Sequence, residues 1–237
     1  MSQLRQLILD TETTGLDPKN GDRMIEFAAL EMIDRELTGQ SLHLYINPGC
    51  NISADATRIH GITNAHVKDK PLFGEVAKTI VEYITGAELI IHNAKFDLSF
   101  LDFQFNMEGL DLTNSYVASV IDTLMMARQK FPGSKNNLDA LCDRFKVNRK
   151  DRGFHGALID CRLLADVYLN LTREQISLIG FEQKNTHATE FKFEQLNLSG
   201  IDLAHVSVPE DDLNKHNQVL DRLNKESQGD CLWLKNQ

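Results

Sequence analysis

Asp10 and Glu12 stand at the end of an apolar run, Leu7-Ile8-Leu9-Asp10-Thr11-Glu12, and Thr13-Thr14-Gly15 follows them. Alternate residues of an extended strand share a face, so both carboxylates project the same way. Two ionised acids held that close repel each other unless a cation lies between them. Three further residues extend the set: Asp97, in Ile91-His92-Asn93-Ala94-Lys95-Phe96-Asp97, and His155 and Asp160, in Phe154-His155-Gly156-Ala157-Leu158-Ile159-Asp160. Four carboxylates and one imidazole are the hard-oxygen ligands and general base that a hydrolase with two divalent cations needs. Such cations lie roughly 4 Å apart, one at the attacking and one at the leaving oxygen. A lone D-x-E equally describes a strand that ends in polar residues, and Asp97, ahead of Leu98-Ser99-Phe100-Leu101, also suits a helix cap. The full set in this order favours the metal site.

These residues need a scaffold. Strands are expected at about 4–10, 24–35 and 41–47, with turns at Gly21-Asp22 and Gly39-Gln40. Phe73, Val76, Ile80, Val81 and Ile84 recur with helical spacing. A strand at 88–91, a helix at about 94–107 and a fifth strand at 116–121 come next, then helices near 122–130 and 136–145. A last helix, about 156–171, carries Ala157, Cys161, Leu164, Ala165 and Tyr168 on one face. Three strands followed by alternating helix and strand make an α/β fold with a mixed five-stranded sheet flanked by helices. Five helical residues turn through about 500°, so His155 and Asp160 share no helix face and His155 belongs on the loop before the helix.

The motifs D-x-E-T-T-G, H-N-x-x-F-D and H-x-x-x-x-D, in this order, resemble those of the DEDD superfamily of 3′–5′ exonucleases, in its histidine subclass. The tyrosine subclass places its phenol one residue nearer the last aspartate, where this chain has Gly156. The resemblance implies a ribonuclease-H-like fold and two divalent cations, Mg²⁺ or Mn²⁺. It implies that Asp10, Glu12 and Asp160 hold one cation, that Asp10 bridges to the second, which Asp97 supports, and that His155 is the general base. It also implies that Thr13, His60, His92, Asn93 and Phe96 line the pocket for the 3′-terminal nucleotide, although core packing is an equal reading of Phe96. Within the superfamily the chain resembles the epsilon proofreading family of bacterial DNA polymerase III, in Phe131-Pro132-Gly133 to Asp143, in Leu158 to Tyr168 and in the tail Gly229-Asp230-Cys231-Leu232-Trp233. The expected substrates are mispaired DNA 3′ ends, and the expected products nucleoside 5′-monophosphates.

With 237 residues, 42% of them hydrophobic and 25% charged, the chain can bury an ordinary core. The four cysteines, Cys50, Cys142, Cys161 and Cys231, show no close pairing, which argues against a zinc site or disulfide framework and suits a reducing cytoplasm. No signal peptide or membrane span is expected, so localisation at the bacterial nucleoid fits. The net charge of −9 is unusual for a protein that handles nucleic acid. A local basic stretch offsets it: Arg144, Lys146, Arg149, Lys150 and Arg152 against Asp151 alone, read as a phosphate-backbone contact just before His155. Overall acidity still implies that processive work needs tethering.

Three segments are expected: a catalytic domain over 1–172, a linker over 173–208 and a partner-binding tail over 209–237. Gln175, Leu178 and Phe181 are similar to a clamp-docking motif, with one extra residue before Phe181. The tail, an amphipathic helix at 209–226 with Leu213, Val219, Leu220 and Leu223 followed by Trp233, would hold the polymerase catalytic subunit. A small accessory subunit is a further candidate partner. A free-standing exoribonuclease would share the five catalytic residues but has no need of the tail; a non-catalytic adaptor has no need of the five.

Overall fold

The computed structural model describes residues 4–149, 155–173, 209–227 and Trp233. Its chain divides into two units, 1–177 and 178–237. Strands β1 (Gln6–Thr13), β2 (Met24–Ile33), β3 (Glu36–Tyr45), β4 (Glu88–Ile91) and β5 (Ser119–Asp122) form one sheet in the order β3-β2-β1-β4-β5. β1 runs antiparallel to β2 and parallel to β4, which makes the sheet mixed. Leu7, Ile8 and Leu9 are wholly buried because β1 is central and covered on both faces.

On one face Leu7, Leu9, Phe27 and Leu89 pack against α3 (Phe73–Ile84) and α4 (Ala94–Met107), through Ile80, Ile84, Phe100 and Phe105. On the other, Ile8, Ala28, Leu30 and Ile90 meet α7 (Ala157–Leu171), through the expected stripe Ala157, Cys161, Leu164, Ala165 and Tyr168. Helices α5 (Thr123–Lys130) and α6 (Leu138–Phe145) pack on the outer side of α7 through Ala127, Leu141 and Cys142.

Several boundaries differ from expectation. The β2–β3 turn is at Asp34 and Arg35, with φ of 50° and 68°, so β3 begins at Glu36 and not at 41. Two residues with positive φ match the twist of a tight hairpin. Gly39, read as the turn, instead lies within β3 at φ 85°, where the register with β2 slips. β5 begins at Ser119 because the chain before it forms a 3₁₀ turn, Thr113–Ser115. Two short helices were not anticipated, α1 (Ala54–His60) and α2 (Asn64–Val67). α1 is capped by Ser53 and closed by Gly61 at φ 72°, and is too short to show a period. In the second unit α8 (Glu210–Glu226) begins with Glu210, Asp211 and Asp212, acids that suit a helix N-terminus. No residue of α8 is buried.

Candidate active site

β1 continues as paired strand past its apolar run, with Asp10 opposite Ala28 and Glu12 opposite Glu26, so its alternation persists to the tip. Ile8, Asp10 and Glu12 therefore form one file on the α7 face. α7 brings Asp160 to it from its first turn, and a ligand oxygen from each of Asp10, Glu12 and Asp160 lies within 4.8 Å of the others. His155 precedes the helix, as the rotation argument required. Its Nδ1 is 3.3 Å from Asp160 Oδ2, and its backbone N–H donates to Ile59 O at 3.1 Å, tying this loop to α1.

Asp97 arrives from the opposite face. It lies in the first turn of α4, is 3% exposed, and its Oδ1 accepts a 2.7 Å hydrogen bond from Thr11 Oγ1. It is not a cap: Asn93 occupies that position at φ 69°, and Asp122 accepts the N–H groups of Asn93 and Ala94. Burial raises the Asp97 pKa from its ordinary 3.8 to about 7, against hydrogen bonds that lower it, first from Thr11. The Asp10 pKa is pushed well up, chiefly by desolvation and then by the charges of Asp97, Glu12, Asp160 and Glu26. Three carboxylates gathered within 4.8 Å, one of them with its pKa pushed up by its neighbours, are the donor set for a hard divalent cation; Asp97 is not in that group. Cys161 offers no competing ligand, since burial and the same acids push its thiol pKa well up.

The expected substrate-binding residues divide among separate places. His60, 6% exposed, borders a cavity of about 370 Å³ with Tyr45, Gly61, Ile62, His66 and Lys70. His92 and Asn93 border another of about 630 Å³ with Leu124, Arg128, Ser134 and Asn136. Burial lowers both histidine pKa values. Thr13 is buried and donates to Gly15 O at 2.6 Å, holding the turn after Glu12. Phe96 packs on the core with its ring 5.1 Å from that of Phe100.

Two residues of the basic stretch already have partners within the protein. Arg149 pairs with Asp139 at 2.8 Å and with Asp143. Arg144 bonds Asn136 Oδ1 and Lys135 O, both at 3.1 Å, and lies 4.3 Å over the Phe131 ring. Both guanidinium groups secure α6 and its approach. Lys150 and Arg152 lie outside the described residues, as do Gln175, Leu178 and Phe181.

The family model described as an exonuclease, RNase T, matches residues 7–168. A DNA polymerase III subunit epsilon of Pasteurella multocida is 44% identical over 98% of this chain and 94% of its own. One from Haemophilus influenzae is 42% identical over 98% and 95%. The chain belongs to the DNA polymerase III epsilon-subunit family of exonucleases. As a member of that family it is a proofreading 3′–5′ exonuclease of the DEDD type. Among solved structures, exonuclease X in complex with 5′-overhanging duplex DNA is similar at TM-score 0.54 and 28% identity, over 70% of this chain and 90% of its own. The nuclease domain of 3′hExo, a DEDDh family member bound to rAMP, matches at TM-score 0.62 and 19% identity, over 72% and 92%, which speaks for the fold alone.

Three residues that bond to the elements around the clustered acids were not singled out in the sequence. Thr11 bonds Asp97, and Asp122 caps α5 while holding the start of α4. Glu26 is 2% exposed near the start of β2. An acid within Met24-Ile25-Glu26-Phe27-Ala28 was the available signal for the last.

Proposed function

We propose that this exonuclease hydrolyses the terminal phosphodiester of mispaired DNA 3′ ends and releases nucleoside 5′-monophosphates. The observation that carries this reading is the gathering of Asp10, Glu12 and Asp160 within 4.8 Å, beside His155. Asp10, Glu12 and Asp160, with Asp97, would hold two divalent cations, Mg²⁺ or Mn²⁺. Bound there, the cations supply Lewis-acid stabilisation of the attacking and leaving oxygens. His155 accepts the proton of the attacking water. Asp160 at Nδ1 orients the ring and leaves Nε2 as the accepting nitrogen. Thr13, His60, His92, Asn93 and Phe96 bind the terminal nucleotide. Neutral histidines at pH 7 can donate and accept hydrogen bonds without attracting the phosphate elsewhere.

The tail would hold the polymerase catalytic subunit. Leu213, Val219, Leu220 and Leu223 lie along α8, and Leu213, Val219, Leu223 and Trp233 are 50%, 45%, 39% and 75% exposed. Gln175, Leu178 and Phe181 would dock on the sliding clamp, and a small accessory subunit is a further candidate partner. This places the chain at the bacterial replisome; no described helix is long and apolar enough to cross a membrane.

The test is degradation of 3′-labelled DNA and RNA, paired and mispaired, with Mg²⁺ and with EDTA. Metal-dependent trimming that prefers mispaired DNA supports the reading. Faster trimming of RNA would assign the site to RNA processing and withdraw the polymerase tether.

A further inference from the structure

α7 lacks a cap of its own. Gly156 is its N-cap residue and has no side chain with which to accept the first N–H groups of the helix. The acceptor comes instead from 131 residues away: Glu26 Oε2 takes the N–H of Ala157 at 3.1 Å. Glu26 Oε1 lies 2.7 Å from His43 Nε2 on β3, so the carboxylate is held from one side while it holds the helix on the other. Tyr45 is its cross-strand neighbour on β3, and the Glu26 charge contributes, after burial, to raising the phenol pKa.

Glu26 is a costly choice for this position. It stands directly opposite Glu12 in the β1–β2 register, and like charges facing each other across strands are destabilising. Its charge also adds to the field that raises the Asp10 pKa. Nothing in the packing of the surrounding Met24, Ile25, Phe27 and Ala28 calls for an acid. What the position gains is the attachment of one helix turn, the turn that contains Asp160 and directly follows His155.

We propose that Glu26 is a positioning residue, which docks the first turn of α7 on the sheet and thereby sets Asp160 and His155 against Asp10 and Glu12. The proposal rests on the roles assigned above to His155 and Asp160. Glu26 acts through the reach of its acceptor oxygen and not through its charge, and that distinguishes it from a metal ligand.

Two substitutions in the full chain separate reach from charge. Glu26→Gln keeps the reach and an acceptor oxygen but loses the charge; Glu26→Asp keeps the charge but withdraws it by one methylene. Glu26→Gln should retain kcat within about threefold, whereas Glu26→Asp should lower kcat about tenfold or more with KM little changed. Amide hydrogen exchange at Ala157 should quicken in Glu26→Asp and stay slow in Glu26→Gln, with exchange at Leu164 to Tyr168 unaltered in both. A serine can supply a local cap: a Cβ at Gly156 meets nothing within 4 Å, and φ there is −157°, open to any residue. Gly156→Ser added to Glu26→Asp should therefore recover part of the lost kcat. Equal activities for the two variants, or Gln below Asp, overturn the proposal. His155→Ala run alongside keeps the two questions apart. Full activity in that variant refutes the assigned base and the catalytic half of the proposal, while unchanged Ala157 exchange in Glu26→Asp refutes the docking itself.

Discussion

The two files of side chains along β1 diverge at the same point. Leu7 and Leu9 face α3 and α4, and their file continues into Thr11 and Thr13, small groups that are both 6% exposed. Ile8 faces α7, and its file continues into Asp10 and Glu12, half-buried carboxylates whose mutual repulsion helps to push the Asp10 pKa up. The α4 side meets its one acid, Asp97, with a hydroxyl donor; the α7 side meets its acids with more acids. One end of a single strand is thus closed around one buried acid on one face and left open around a cluster of acids on the other. Stability and chemistry are accordingly separable by substitution.

The largest test of that separation is Asp10→Ala. On the proposed roles Asp10 would hold cations that supply several kcal/mol of charge stabilisation, so its removal should lower kcat by about 10³-fold or more, while the melting temperature in EDTA is no lower than wild type. A large fall in that melting temperature would show that the acids help to hold the fold. His155→Ala should slow hydrolysis by about 10²–10⁴-fold and leave the Mg²⁺-dependent rise in melting temperature intact. Phe100→Ala, on the other face, should cost about 3–5 kcal/mol of folding stability in denaturant titrations, with kcat preserved in the folded fraction.

Smaller is the pH effect. Native Asp97 keeps its proton up to about pH 7, whereas the unfolded chain releases it in the ordinary carboxylate range near 3.8. The native state then binds more protons over that window, so stability in EDTA falls as pH rises through it. Calorimetric melts should show this fall, and saturating Mg²⁺ should abolish it. Smallest is Thr11→Val, which deletes a bond that lowers the Asp97 pKa. Its titration should move further up and the Mg²⁺ affinity at pH 7 weaken slightly, both readable by NMR.

The clustering of Asp10, Glu12 and Asp160 was legible in the sequence because it depends on local geometry. Asp10 and Glu12 need only the period of a strand, and the α7 stripe needs only the period of a helix. The helical rotation between positions 155 and 160 was enough to put His155 on a loop. Their chemical roles came from the resemblance and not from spacing. Glu26 was not legible: its meaning lies in Ala157 and His43, partners that only the folded sheet supplies. The ion pairs of Arg149 were not legible for the same reason, since a run of basic residues gives no sign of Asp139 and Asp143 beside it. The β2–β3 hairpin misled because Gly39 advertises a turn more loudly than Asp34-Arg35, which make it.

The docking of α7 also has a consequence in time. Asp160 lies 150 residues after Asp10, and the helix that delivers it is the last described element of the first unit. At about 5–20 residues per second, a ribosome takes roughly 8–30 s to span that interval. During synthesis the β1–β2 hairpin can form early, but it presents only two of the three clustered acids and no histidine. The nascent chain carries an incomplete nuclease throughout, and its capacity to cut arises only when the closing helix has emerged and seated.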